Sequence, residues 1–412
     1  MVDKFPALGD NLARMRRRRG MTQEQLAERA AVSVSVIRKL ERGDRDSASL
    51  PTLRKLAGAL DLTTVDLFKP TPRFVGPVDR DDRDDLYGIR RALQPARSVT
   101  DSSAPTLADD EEPPTADAVR QAAREVNGMF RDSDYAGAVA ALPTAIIHAR
   151  HAADSVAGGD ADVVREQLAQ IYITAGMVLI QLRHDDLAYQ SLGLAMDAGR
   201  AIGSEATMAA VVCTENWLLT RQARFDDAEL AALASAQAVE PSFTRSPLAQ
   251  VGTWGWLNLG AAAAATRNNR PDVAADALRR ARAAAYVAED YRSNDVAHWT
   301  QISPAVVAMR EVELAMVSGD VDTALRSARD VPDDATPLVT HHRFELDVAA
   351  AHLERRRPDE AIAVLLRLRQ TVPGWLRYQR YGRTLTGRLL HTRARTVPAD
   401  LRELADFLDV RD

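Results

Sequence analysis

Apolar and polar positions alternate with a helical rhythm through most of this chain, most sharply in the run TQEQLAERAAVSVSVIRKLERG from Thr22 to Gly43. Leu26, Ala27 and Ala30, then Val32, Ile37 and Leu40, fall where two short helices would share one apolar seam. Thr22 is placed to cap the first helix, with Gln25 three residues on to complete a capping box, and Ser33 to cap the second after a break at Ala31-Val32. That seam leaves Val34, Ser35, Arg38, Lys39 and Arg42 on the opposite face, a set of hydroxyl, cationic and methyl groups that suits base edges and phosphates in a major groove. Upstream, LGDNLARMRRRRG is an amphipathic helix that should stop at Gly20, a residue that takes the left-handed conformation cheaply. Downstream, Ser49 should start the helix LPTLRKLAGAL, and TTVDLF closes a last short one at Phe68.

Residues Ala7 to Phe68 closely resemble the phage-repressor-like, or XRE-type, helix-turn-helix family, through the run T-Q-x-x-L-A, the V-S-x-S-x-I core and the terminal E-R-G. The resemblance implies a five-helix DNA-binding domain in which Gln23 clamps a phosphate, Val34, Ser35 and Lys39 face bases, and Ser33 and Arg42 hold the backbone. It also implies that Glu41 pairs with Arg16. The family usually carries glycine in the turn where this chain has Ala31, so a left-handed conformation there should cost on the order of 1 kcal/mol. The run Arg16 to Arg19 could serve as a nucleic-acid patch, but four successive helical residues point in four directions, and a solvated face with one or two phosphate contacts is the expectation.

Charge sharpens this division. Residues 1–70 hold fourteen Lys and Arg against nine Asp and Glu, whereas the whole 412-residue chain has a net charge of −5. The positive charge is concentrated where a polyanion would bind, and such binding should weaken steeply with salt. Lys4, Lys39, Lys55 and Lys69 are the only lysines, so nothing beyond the first domain offers a Schiff base or P-loop lysine. A single cysteine, Cys213, within an apolar run is expected to be a buried, inert thiol. No dinucleotide, metalloprotease or nucleophile-elbow motif is present; no catalytic function, cofactor or metal is expected. The chain shows no signal-like start. Its longest nearly apolar run, IYITAGMVLI, is short of the ~20 residues that span a bilayer, so a cytoplasmic protein without membrane association is expected.

Residues 71–115 have the prolines and alternating charge of a linker, interrupted by DDLYGIRRAL, a connecting helix or one that docks on either neighbour. From residue 116 to 412 the pattern is helical nearly throughout. A loop signal followed by an alanine-started helix recurs at Ala138, Ala188, Ala228, Ala274, Ala324 and Ala361. Four of these helices continue with an apolar residue four on and another seven on, as in Ala188-Leu192-Ala195. This resembles the second helix of a tetratricopeptide (TPR) repeat, although the first-helix signature is poor, with Gly176 the only glycine at its small position. The expected architecture is therefore all-α: a five-helix domain at 1–70, a linker at 71–115, and a TPR-like solenoid at 116–412.

The two-part plan is similar to peptide-responsive regulators of Gram-positive bacteria and to a broad class of actinobacterial regulators. It implies a regulator of transcription that binds double-stranded DNA as a homodimer and senses a peptide, small molecule or protein through the repeats. Inward asparagines can bond both edges of an extended peptide, which makes Asn216, Asn258 and Asn294 ligand candidates, and Trp254 or Trp256 could line an apolar pocket. For each of these a loop cap, solvent-facing amide or core role is the stronger expectation. The competing function is a scaffold that the DNA-binding head merely localises.

Overall fold

A computed structural model describes residues 8–18, 21–45, 48–60, 67, 82–95, 113–156, 158–289, 291, 301–332, 339–392 and 397–410. Every regular element among them is helical, and the chain divides into two compact units, Met1–Gly76 and Pro77–Asp412.

The first unit contains α1 (Leu8–Arg18), α2 (Gln23–Ala30), α3 (Val34–Glu41) and α4 (Leu50–Ala59). Leu12, Leu26, Ile37, Leu40, Leu56 and Leu60 form its core, joined by Leu67, whose carbonyl accepts from Asn11 Nδ2 at 3.1 Å. Gly9 marks the closest approach of α1 to α3: a Cβ there would sit 1.8 Å from the Leu40 carbonyl oxygen. Gly20 and most of the expected fifth helix, TTVDLF, lie outside the described residues.

The second unit opens with α5 (Asp82–Leu93), the helix of the expected linker, which packs on α7 (Tyr135–Ser155) and so belongs to this unit. Leu86, Ile89 and Leu93 are buried on one side of it and Arg90 is exposed. Six helix pairs follow: α6 (Ala116–Arg131) with α7, α8 (Gly159–Gln181) with α9 (Asp185–Ala201), α10 (Glu205–Arg221) with α11 (Phe225–Ala238), α12 (Leu248–Arg267) with α13 (Pro271–Val287), α14 (Pro304–Val317) with α15 (Val321–Ser327), and α16 (Val339–Glu354) with α17 (Pro358–Thr371). First helices also pack on first helices from α6 through α16, which makes them the inner layer of a TPR-like stack. A terminal group, α18 (Pro373–Arg377), α19 (Arg380–Thr392) and α20 (Ala399–Phe407), completes the unit. It returns to the first repeats: Gln379 Nε2 donates to Gln181 Oε1 at 3.2 Å, and the Tyr378 ring meets Tyr135 edge-on at 5.5 Å. One apolar cluster consequently joins α5–α10 to α16–α20.

The repeat register is set by one turn used six times. Each repeat alanine is the fourth residue of its helix and is buried. Five residues before each stands a residue at positive φ: Ser133, Arg183, Ala223, Asn269, Gly319 and Arg356. Its N–H, and that of the next residue, donate back to carbonyls of the preceding helix, as Ala223 does to Thr220 and Arg224 to Leu219, the Schellman pattern. Gly176 has the role its position suggested, since a Cβ there would lie 2.8 Å from Leu192 Cδ2. Because alanine resists the left-handed region, Ala223→Gly is expected to raise stability by about 0.5–1 kcal/mol, visible as a higher Tm in thermal unfolding followed by circular dichroism.

The helix containing IYITAGMVLI needs a correction. Residues Asp160–Gln181 are long and apolar enough, by length and composition, to cross a membrane. Yet 83% of its apolar window is buried inside the protein, where α8 packs between α6, α7, α9 and α10.

Candidate nucleic-acid interface and the repeat cavity

The helix-turn-helix is built by caps and one buried ion pair. Thr22 Oγ1 accepts from the Gln25 N–H at 3.1 Å and Gln25 Oε1 accepts from the Thr22 N–H at 2.8 Å, a complete capping box. Ala31 takes φ 50° and ψ 49°, so the turn keeps the left-handed geometry without glycine. Ser33 stands at the N-cap position of α3, but its side chain makes no capping bond, contrary to expectation; its Oγ lies 3.0 Å from Ser35 Oγ instead. The two hydroxyls satisfy each other on an exposed surface, and the α3 amides are left to solvent or a ligand.

Arg16 Nε and Nη2 donate to the two carboxylate oxygens of Glu41 at 2.7 and 2.8 Å, and Arg16 Nη1 donates to the Met21 carbonyl. Both side chains are almost fully buried. The Glu41 hydrogen bond, outweighing the desolvation of the guanidinium, raises the Arg16 pKa above its ordinary value. Gln23 Nε2 also donates to Glu41 Oε2, at 2.7 Å, which fixes the start of α2 against the end of α3. Ile37 and Leu40 are buried, while Ser33, Ser35, Arg38, Lys39 and Arg42 are exposed and Val34 half-buried. Arg38 donates to Glu24 Oε1 at 2.7 Å across the surface; both side chains stay solvated, so the pair is weak and easily exchanged for a phosphate.

In the second unit the first helices enclose a cavity of about 610 Å³, lined from α6 to α16 and by α18 and α19. Asn216 reaches it, although its Nδ2 already donates to the Ala228 carbonyl at 2.8 Å. Asn258 and Trp254 do not line it: Asn258 donates to the Trp254 carbonyl in the core, and Trp254 packs edge-on against Phe243. Two residues along a helix turn the side chain by about 200°, so of Trp254 and Trp256 only one can face inward, and that one is Trp256, which lines the cavity and donates its Nε1–H to the Gln301 carbonyl. Asn294 lies outside the described residues. Cys213 is half-buried on the wall, and burial pushes its thiol up to about 12, far from a reactive thiolate.

Arginine was missed by sequence reasoning. Arg131, Arg221 and Arg267 each end a first helix, two residues before the positive-φ position, and all three line the cavity. That shared register within the repeat was the available signal. Arg267 donates to Glu313 Oε1 at 2.7 Å, and Arg310 also pairs with Glu313. Burial pushes the Glu313 carboxyl up, but Arg310, Arg267 and Arg343 together hold it well below the usual carboxylate range. Arg343 Nε donates to Asp347 Oδ2 at 3.1 Å.

Comparison with known proteins bears on the first unit. The helix-turn-helix family model matches residues 12–67. An uncharacterized HTH-type transcriptional regulator, y4dJ, of Sinorhizobium fredii (strain NBRC 101917 / NGR234) is 40% identical over 70 residues, which are 17% of this chain and 90% of that relative. The crystal structure of Bacillus thuringiensis PlcR in complex with the peptide PapR7 and DNA is similar at a TM-score of 0.31 and 11% identity, over 79% of this chain and 95% of that one. With the seam, the capping box and the Arg16–Glu41 pair all in place, and a curated relative matched over nearly its whole length, this chain belongs to the XRE-type helix-turn-helix regulators of transcription, which bind DNA.

Proposed function

We propose that this regulator reads its operator through α3 as a homodimer, and that the repeat unit senses a peptide or small ligand in its cavity. In this reading residues 1–70 are the DNA-binding domain and 116–412 the sensing and dimerising domain, with α5 docked on the latter. The observation that carries the first part is the exposed row Ser35, Arg38, Lys39 and Arg42 over a buried Ile37–Leu40 seam. Gln23 and Ser33 contact phosphates, and Val34, Ser35 and Lys39 read bases. One small head binds weakly, and two heads on half-sites about 34 Å apart repair that. Large apolar side chains on the outer helices supply a surface for dimerisation: Leu230 on α11 and Tyr286 on α13 are 71% and 78% exposed. A ligand held by first helices of successive repeats would alter their stacking, and so the spacing of the heads, by as much as it prefers one stacking over another.

Fluorescence anisotropy with DNA from the gene's own upstream region, at two salt concentrations and with competitor DNA, tests the operator reading. Selective and salt-sensitive binding supports it; equal binding to random DNA rejects it. Sedimentation of the same sample tests the dimer. Arg42→Ala is expected to weaken binding to all sequences and reduce the salt dependence, whereas Ser35→Ala and Lys39→Ala should shift the preference among sequences.

A further inference from the structure

The charge of the repeat cavity exceeds anything its packing needs. Among the described residues, seven arginines and two carboxylates line it, a surplus of five positive charges inside a chain of net charge −5. The carboxylates are already engaged, Glu313 by Arg267 and Arg310 and Asp347 by Arg343. The wall accepts apolar residues elsewhere, as Met177, Met309 and Phe344 demonstrate. A basic residue ending a helix complements the helix dipole, which is reason enough for Arg131, Arg221 and Arg267 to occur where they do. That reason fails for Arg343 and Arg380, which lie near the N-termini of α16 and α19, where the dipole disfavours a cation.

Two of these cations are held in place by aromatic rings. Arg221 Cζ lies 5.8 Å from the centroid of Trp217, and Arg343 Cζ 4.8 Å from that of Tyr381. The Arg343 side chain keeps 44% of its surface open despite its position among the inner helices. Burial, followed by repulsion from Arg183, lowers the Arg221 pKa, with Arg343 adding to the repulsion and Asp185 opposing it. Beside these cations the wall carries the rings of Trp217, Trp256 and Trp375, and the buried Trp375 Nε1–H has no acceptor among the described residues. A fixed cluster of like charges next to flat apolar surface, in a cavity of small-molecule size, is a receptor waiting for a counter-charge.

We infer that the cavity binds an organic anion, a molecule with an aromatic or other apolar body and a carboxylate, sulfonate or phosphate group, whose charge is held by Arg183, Arg221 and Arg343 and whose body lies against the tryptophans. This deepens the sensing role proposed above and rests on it for its biological meaning, but not for its chemistry. An organic acid, an organic phosphate and a short acidic peptide all offer that chemistry.

The test uses the full-length protein and two fluorescent probes with the same ring system, 8-anilinonaphthalene-1-sulfonate and the uncharged N-phenyl-1-naphthylamine. The sulfonate is expected to bind saturably, and Arg221→Gln and Arg183→Gln each to weaken it by about tenfold, while binding of the neutral probe stays unchanged. Arg183 is exposed, so its variant keeps the fold even if Arg221→Gln loosens it, and thermal melts verify both. Equal binding of the two probes, or wild-type affinity for the sulfonate in both variants, would overturn the inference. Phenyl phosphate, a benzoate and an acidic pentapeptide are then used as competitors; displacement by any of them supports the anion chemistry and identifies its source, and displacement by none overturns it. Operator affinity with and without saturating sulfonate is read separately. Unchanged DNA binding alongside arginine-dependent probe binding would sink the sensing role and leave the anion site standing.

Discussion

Glu41→Ala is expected to strip the N-terminal unit of much of its stability and weaken DNA binding without touching the repeats. Arg16 is buried against Glu41 and donates two of its hydrogen bonds to it, so removing the carboxylate leaves a buried cation without its counter-charge. Breaking such a pair costs about 3–5 kcal/mol. A unit of this size has only about 4–10 kcal/mol of stability to lose. Gln23 would lose its acceptor in the same change, releasing α2 from the end of α3. Limited proteolysis of the full chain checks this: cleavage should become rapid within residues 1–76 while the repeats remain resistant. A variant that resisted proteolysis as the parent does would show that Arg16 finds another partner. Glu24→Ala is the contrast, because its pair with Arg38 is exposed and solvent-screened and its loss should leave the resistance to proteolysis unchanged.

Glu313→Gln is expected to have the largest effect in the second unit, and to move stability and anion affinity in opposite directions. Glu313 is nearly buried and answers Arg267 and Arg310 from one position. Neutralising it leaves both without their carboxylate, a loss of about 3–5 kcal/mol, readable as a lower midpoint in urea. The same change raises the surplus positive charge of the cavity, so 8-anilinonaphthalene-1-sulfonate should bind more tightly to whatever fraction stays folded. The pH dependence follows from the direction of the Glu313 shift. Its folded pKa is depressed, so its contribution is fully present above the ordinary carboxylate range and is lost as pH falls through the depressed value. The parent should therefore lose stability on acidification where Glu313→Gln has none of that contribution left to lose. Parallel pH profiles for the two proteins would show that the pair does not set the stability of this unit.

Much of the first unit was readable because its signals are local. The Thr22–Gln25 box, the left-handed Ala31 and the apolar seam are all decided within a dozen residues. The Ser33 hydroxyl was misread because two serines separated by one residue compete for each other, a choice that pattern alone does not make. In the second unit the alanine register could be followed because every repeat buries its fourth helical residue. The inward face could not. In α12 apolar and small side chains are buried on nearly every side, Val251 to Ala265 with few exceptions, so helical period does not distinguish cavity from core and Trp254 competed on equal terms with Trp256. The cavity arginines come one to a helix or turn and converge only when the repeats stack. The return of the α18–α19 segment to the early repeats, where Gln379 bonds Gln181 nearly 200 residues earlier, leaves no local mark at all.

Arg183 brings the two designs of the repeat unit into conflict at one residue. As one of six left-handed turn positions it would gain from becoming glycine, as Gly319 already is. As a cation of the proposed anion site on the cavity wall it would have to stay arginine. Selection for heat resistance and selection for response to a ligand would thus pull this codon in opposite directions, and a thermostabilised version of the protein obtained without a ligand screen is apt to be a deaf one.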